Sequence, residues 1–148
     1  MFKHILIPTD GSRFANKAVK AGIRFAKQLG ARVTGYYAIK PVAQHVYGEG
    51  YLIKNKRFVQ VLQKRARESG EARMNNIARV AMAAGVPFSA LVEGAETPYE
   101  GIIDAATKHK CDAIFMASHR RGGVAGVLIG SVTHKVLTHS KVPVLVFR

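Results

Sequence analysis

The stretch from Met116 to Ser131, MASHRRGGVAGVLIGS, gathers residue types that hold anions. Gly122, Gly123 and Gly126 lie close together, Gly130 follows, and Arg120 and Arg121 stand beside His119. Glycine lets backbone approach a ligand closely, and arginine offers a fork of donors to phosphate. A helix opening at Gly130-Ser131 would aim unpaired N–H groups and partial positive charge outward. The same residues also suit an ordinary surface loop with its arginines in solvent. This stretch alone does not separate the two readings.

Other chemistries have weaker sequence support. There is no Walker A pattern, and no dinucleotide fingerprint follows the first apolar run. His4, His45, His109, His119, His134 and His139 show no metal-ligand spacing; surface or helix roles are expected for all but His119. No nucleophile elbow or carboxylate pair stands out, so efficient catalysis is not expected. Glu93 and Glu96 flank Gly94 and are read as loop and cap residues rather than cation ligands.

The elements that must position these residues alternate in type. Phe2 to Pro8, FKHILIP, is a continuous apolar run of the kind buried on both faces of a parallel sheet. Thr9-Asp10-Gly11-Ser12 forms a turn, with Ser12 capping a helix from Arg13 to Leu29. In that helix Phe14, Ala18, Ala21, Ile23, Phe25, Ala26 and Leu29 recur mostly at three- and four-residue steps, and Gly30 ends it. Ala31 to Ile39 is the second strand, stopped at Lys40-Pro41, and Val42 to Ile53 is read as a loop. A long helical pattern runs from Lys54 to Ala84, with Ser69-Gly70 as a kink or interruption, and Gly85-Val86-Pro87 closes it.

Phe88 to Val92 is a short third strand. Thr97-Pro98-Tyr99-Glu100 reads as a capping box opening a helix to about Lys108. Asp112 to Ala117 is the fourth strand, Ser131 to Thr138 a helix, and Val142 to Phe147 the fifth strand. The pattern predicts an α/β fold: a single doubly wound domain, with a five-stranded parallel sheet and helices on both faces. A flavodoxin-type order or a mirror relative is expected, with the first strand central. Ligands of such sheets bind where strand order reverses. That expectation sets the Thr9 to Gly11 turn beside the Met116 to Gly123 loop, and the convergence favours an anion or nucleotide site.

The bulk properties bound the rest. The chain has 148 residues, enough for one domain with a proper core. Its hydrophobic content of 48% is ordinary for a globular protein, and no run of about 18 apolar residues suggests a membrane span. The single cysteine, Cys111, forms no internal disulfide and is read as a small buried residue; a cytoplasmic location is inferred. The net charge is +14, but the cations are spread along several helices without interleaved aromatics. Solvated helix faces explain most of it, and specific nucleic-acid binding is not expected.

ILIPTDGS at the start, the MASH loop and GSVTHKVLTHSKVPVLV at the end together resemble the universal stress protein (UspA-like) family, over essentially the whole chain. The resemblance implies an adenine nucleotide alpha hydrolase-like domain, usually a homodimer whose last strand pairs across a two-fold axis. Here that strand would be Val142 to Phe147. It also implies ATP, with Mg2+ on the phosphates. Many members use the pattern G-x2-G-x9-G-[ST]. Gly130-Ser131 matches its end, but Ala117 and Arg120 stand at the first two glycine positions. Ala117 adds one methyl. Arg120 either substitutes a guanidinium contact for a backbone one or fills the pocket.

The other implied contacts are Pro8, Thr9 and Asp10, the last against the ribose, with Ala38 or Ile39 at the base. Met116 and His119 lie on the loop, while Gly130, Ser131, Val132 and Thr133 hold phosphate. Asp10 also suits a turn, and Ser131 an N-cap. The resemblance points to a stress-response regulator acting on unidentified protein partners, with at most slow ATP hydrolysis. The alternative is a dimeric interaction module that has lost the nucleotide.

Overall fold

The computed structural model describes residues 1–41, 56–118 and 129–148. The elements are β1 (His4–Pro8), α1 (Arg13–Leu29), β2 (Arg32–Ile39), α2 (Lys56–Ala84), β3 (Phe88–Gly94), α3 (Pro98–Lys108), β4 (Ala113–Ala117), α4 (Ser131–His139) and β5 (Val144–Phe147). The five strands are parallel in the order β3-β2-β1-β4-β5. The first strand is central, as expected. The flavodoxin-type order is not what forms, because β1 abuts β4 and β3 lies at the edge. The cause is the sidedness of α2. Its buried Met74, Ile77 and Ala81 join the same core as α1, and a right-handed crossover on that face carries β3 outward beyond β2.

Period-two alternation divides the sheet between two cores. Ile5, Ile7, Val33, Ala113 and Phe115 meet α1 and α2. Leu6, Tyr36, Ile114 and Met116 meet α3 and α4. α1 turns Ala15, Ala18, Val19, Gly22, Ile23 and Ala26 inward, and Gly30 closes it in the left-handed region at φ 63°. Gly22 sits tight on the sheet: a Cβ there would lie 2.6 Å from Ile7 Cδ1 and 2.9 Å from Phe115 Cδ1.

Gly70 does not break α2. The helix is continuous, and Gly70 is buried within it. A Cβ at Gly70 would approach Val92 Cγ1 to 2.8 Å and Tyr37 Cδ1 to 2.9 Å, so the glycine serves close helix–sheet packing. The capping box at α3 also differs from expectation. Thr97 makes no side-chain bond to the backbone; its hydroxyl instead donates to Glu100 Oε2 at 2.5 Å. The predicted helix start at Lys54 and the loop Val42 to Ile53 lie outside the described residues.

The amino end of the sheet holds a polar cluster that the sequence did not announce. Asp112 accepts from the backbone N–H groups of Lys3 (2.7 Å) and His4 (3.0 Å), tying β1 to the start of β4. His4 is 7% exposed, not a surface residue, and its Nε2 lies 2.7 Å from Thr34 Oγ1 and 3.6 Å from Cys111 Sγ. Burial first, then the Arg32 charge, holds the imidazole below the usual histidine range. Burial also pushes the Cys111 thiol up to about 11, which keeps it protonated and inert.

A depressed folded-state value means the unfolded chain binds a proton that the folded chain refuses. The stability His4 contributes is therefore present above the ordinary histidine value of 6.5 and lost as pH falls below it toward the folded value. Urea unfolding between pH 7.5 and about 5 should show stability falling more steeply in the parent than in His4→Gln. Equal slopes in the two proteins would contradict this account. Gly22→Val should cost about 1–3 kcal/mol by overpacking, read from the urea midpoint.

Candidate functional site

The strand order reverses between β1 and β4, and both strands end at the same carboxyl edge. On the β1 side, Pro8 and Thr9 are buried and Asp10 is exposed. The Thr9 N–H donates to the Tyr36 carbonyl at 2.9 Å, and Thr9 Oγ1 accepts from the Gly11 N–H at 3.1 Å. Asp10 Oδ1 accepts from the Ser12 N–H at 2.9 Å, and Ser12 Oγ caps α1 by accepting from the Ala15 N–H at 3.1 Å. The turn role foreseen for Asp10 is therefore real. It does not exhaust the residue, because a carboxylate offers about four acceptor sites.

Gly11 has φ +76°, a conformation that favours glycine. The Arg73 side chain from α2 fills the space a Cβ would need there. Arg73 Nη1 donates to the Gly11 carbonyl at 3.1 Å, and its guanidinium lies 5.9 Å from the centroid of the Tyr37 ring. Arg73 thus braces the Asp10 turn from another element.

On the β4 side, Met116 is buried, and Ala117 and Ser118 are half-buried. The Ser118 N–H donates to the Phe147 carbonyl at 2.9 Å. Thr133, 3% exposed, donates from Oγ1 to the Ala117 carbonyl at 3.0 Å, which pins the first turn of α4 to the end of β4. The N-cap is Gly130 in extended conformation, and Ser131 is the first helical residue, which corrects the expected N-cap role of Ser131. The cap residue is a glycine and brings no side chain to this end, and the His134 N–H is bonded to the Gly130 carbonyl at 2.8 Å. Intrahelical bonding leaves the first-turn N–H groups, Ser131 and Val132 among them, for other partners. The partial positive charge of α4 therefore faces the same edge as Asp10.

Ala38 and Ile39 are half-buried at the end of β2, past the Pro8–Tyr36 pair where β1 stops. They lie at the same carboxyl edge of the sheet as Pro8. Beneath them, burial, with smaller effects of Glu93 and Asp104, pushes the Tyr36 phenol up to about 12, so it stays neutral. The fold thus brings together Pro8, Thr9, Asp10, Ala38, Ile39, Met116, Ala117 and Gly130 to Thr133. His119, Arg120, Arg121, Gly122, Gly123 and Gly126 lie outside the described residues. Glu93 pairs with Lys108 at 3.6 Å. Arg73 is the contributor that sequence reasoning missed. Its only signal was a cation one step from the core residue Met74, and nothing in the sequence linked it to Gly11.

A parallel 3-2-1-4-5 sheet with an acidic turn facing a helix N-terminus across its reversal point belongs to the doubly wound α/β domains that bind ligands at that crevice. The profile of the Universal stress protein family matches residues 1–148, and the chain belongs to that family. It is 32% identical over 150 residues to a universal stress protein of Thermus aquaticus, with 100% of both chains covered. It is 30% identical over 151 residues to universal stress protein MJ0531 of Methanocaldococcus jannaschii, covering 100% of this chain and 83% of that one. The solved structure of MJ0577 superposes with a TM-score of 0.79 at 29% identity, covering 99% and 95% of the two chains. Two structures share the fold at lower identity. One is a universal stress protein in complex with cAMP (TM-score 0.74, 21% identity) and covers 99% and 97% of the two chains. The other is from Archaeoglobus fulgidus in complex with dAMP (0.64, 16%) and covers 100% and 98%.

The Thr133 bond gives a direct check on how α4 is held. Thr133→Val keeps the shape and leaves the Ala117 carbonyl without its donor, which should cost about 1–2 kcal/mol in urea unfolding. An unchanged midpoint would mean that α4 is held at β4 by packing alone.

Proposed function

We propose that this chain is a cytoplasmic stress-response regulator that binds ATP in the crevice between the β1 turn and the start of α4. The observation that carries this reading is that the Asp10 turn and the glycine-capped N-terminus of α4 lie at the same sheet edge, on the two sides of the strand-order reversal. A carboxylate accepts from ribose hydroxyls, and first-turn amides hold phosphate. In this reading Asp10 takes the ribose, Pro8, Thr9, Ala38 and Ile39 line the adenosine side, and Met116 and Ala117 form the floor. Gly130, Ser131, Val132 and Thr133 hold the phosphates, with His119 and Arg120 beside them. A bound Mg2+ would neutralise phosphate charge. The cAMP and dAMP complexes of the relatives support an adenine nucleotide as the ligand.

The reading extends to a homodimer. β5 is a half-buried apolar strand at the sheet edge, and such an edge is a liability unless paired or covered. Pairing of this edge with a second copy, over the segment Val142 to Phe147, would cover it. Protein partners would then be selected according to the bound nucleotide. No helix among the described residues is long and apolar enough to cross a membrane. Arg120 and Ala117 at two family glycine positions favour the rival reading, an interaction module without nucleotide.

Denaturing the purified protein should release adenine nucleotide, or calorimetric titration with ATP should give saturable heat that Asp10→Ala weakens at least about tenfold. No released nucleotide and no heat at millimolar ATP would sink the nucleotide reading, and binding created by Arg120→Gly would then establish the interaction module. Sedimentation should give the mass of a dimer; a monomer at tens of micromolar would remove the β5 pairing.

A further inference from the structure

We propose that the outer face of α1 is a docking ridge for double-stranded nucleic acid, bound through its phosphate backbone without base specificity. Arg13, Lys17, Lys20, Arg24 and Lys27 are all exposed and follow one another at steps of four, three, four and three residues. That spacing sets all five on one line along a helix, and 14 residues of rise give a ridge about 21 Å long. α1 contains no Asp or Glu. The ion pairs among the described residues, Lys64–Glu68 and Lys108–Glu93, lie on other elements. Each cation therefore has like-charge neighbours one turn away, and such pairs repel. A line of phosphates relieves that repulsion and releases its own counterions on contact.

The composition of the face selects among polyanions. The exposed large apolar residues described are Met1, Phe58, Val61, Val80, Met82 and Leu137, none of them on α1. The aromatic residues of α1, Phe14 and Phe25, are part-buried. The ridge therefore presents no wedge to enter a lipid interface and no exposed ring on which unpaired bases could stack. What remains is a straight, rigid row of point charges, which matches the regular phosphates of a duplex. The rigidity comes from the Ser12 cap, the Gly30 stop and the tight seating of Gly22 on Ile7 and Phe115.

The test compares two triple charge reversals of equal net change. Lys17→Glu/Lys20→Glu/Arg24→Glu strips the ridge; Lys108→Glu/Lys135→Glu/Lys141→Glu removes exposed charge from the opposite side of the sheet. Circular dichroism checks that each is folded, and glutamine replaces glutamate in any variant that is not. Fluorescence anisotropy with a labelled mixed-sequence duplex of about 20 base pairs should show saturable binding of the parent, with a slope of log affinity on log salt near −4 to −5.

The ridge variant should lose at least about tenfold in affinity and most of that slope, while the other variant stays within about threefold. Equal losses in both variants would reduce the effect to overall charge and overturn the proposal. So would non-saturable binding in the parent. Tighter binding to phosphatidylserine vesicles than to the duplex, abolished by the ridge variant, would overturn it in favour of a membrane surface. Displacement of the duplex by millimolar ATP would place the contact in the nucleotide crevice and also overturn it.

Discussion

The parallel pairing of β1 with β4 is the constraint on which the rest of this structure depends. Ile5 stands opposite Ala113 and Leu6 opposite Ile114. That one contact joins a right-going half, β1-α1-β2-α2-β3, to a left-going half, α3-β4-α4-β5. It places the short β1 mid-sheet, where helices cover both faces, so Ile5 and Ile7 serve one core and Leu6 the other. It also fixes where the strand order reverses, because the sheet winds outward in both directions from this one pair. At the amino end Asp112 fastens the same pair through the Lys3 and His4 amides. Opposite ends of one strand pair therefore carry a closed polar clasp and the candidate site.

Much of this arrangement was legible in the sequence because it is periodic. Continuous apolar runs announced β1 and β4, and helical spacing with Ser12 and Gly30 bounded α1 to the residue. The five-strand parallel sheet and the central place of β1 followed from alternation of element types. Strand order did not, since it depends on which side of the sheet α2 covers, and an apolar helix face carries no mark of the side it will meet. Gly70 was misleading for a related reason. A glycine that breaks a helix and one that admits a neighbouring ring have the same letter, and only the distances to Val92 and Tyr37 separate them. His4 was invisible because a histidine within an apolar run carries no sign of its buried hydroxyl partner, Thr34, on the next strand.

The candidate site was legible in its ends and not in its bracing. Asp10 and Gly130-Ser131 stand out by residue type, and the topology brings them to one edge. The roles shifted by one position at α4, where the glycine and not the serine is the cap. The shift matters chemically. A serine cap would have spent its hydroxyl on the helix's own amides, whereas a glycine cap leaves them to a ligand. Arg73 enters through a contact 62 positions away in sequence, a distance over which no local pattern carries information.

The two anchors around the loop after β4 have a consequence for how the family can vary. Ser118 is held by Phe147, and Thr133 is held by Ala117, bonds between described residues on the two sides of that connection. The core therefore fixes both ends of that connection. Lengthening a connection whose ends are fixed costs little, about 0.6 kcal/mol for each doubling. The length of chain between these two anchors can therefore vary in this architecture at small cost to the scaffold.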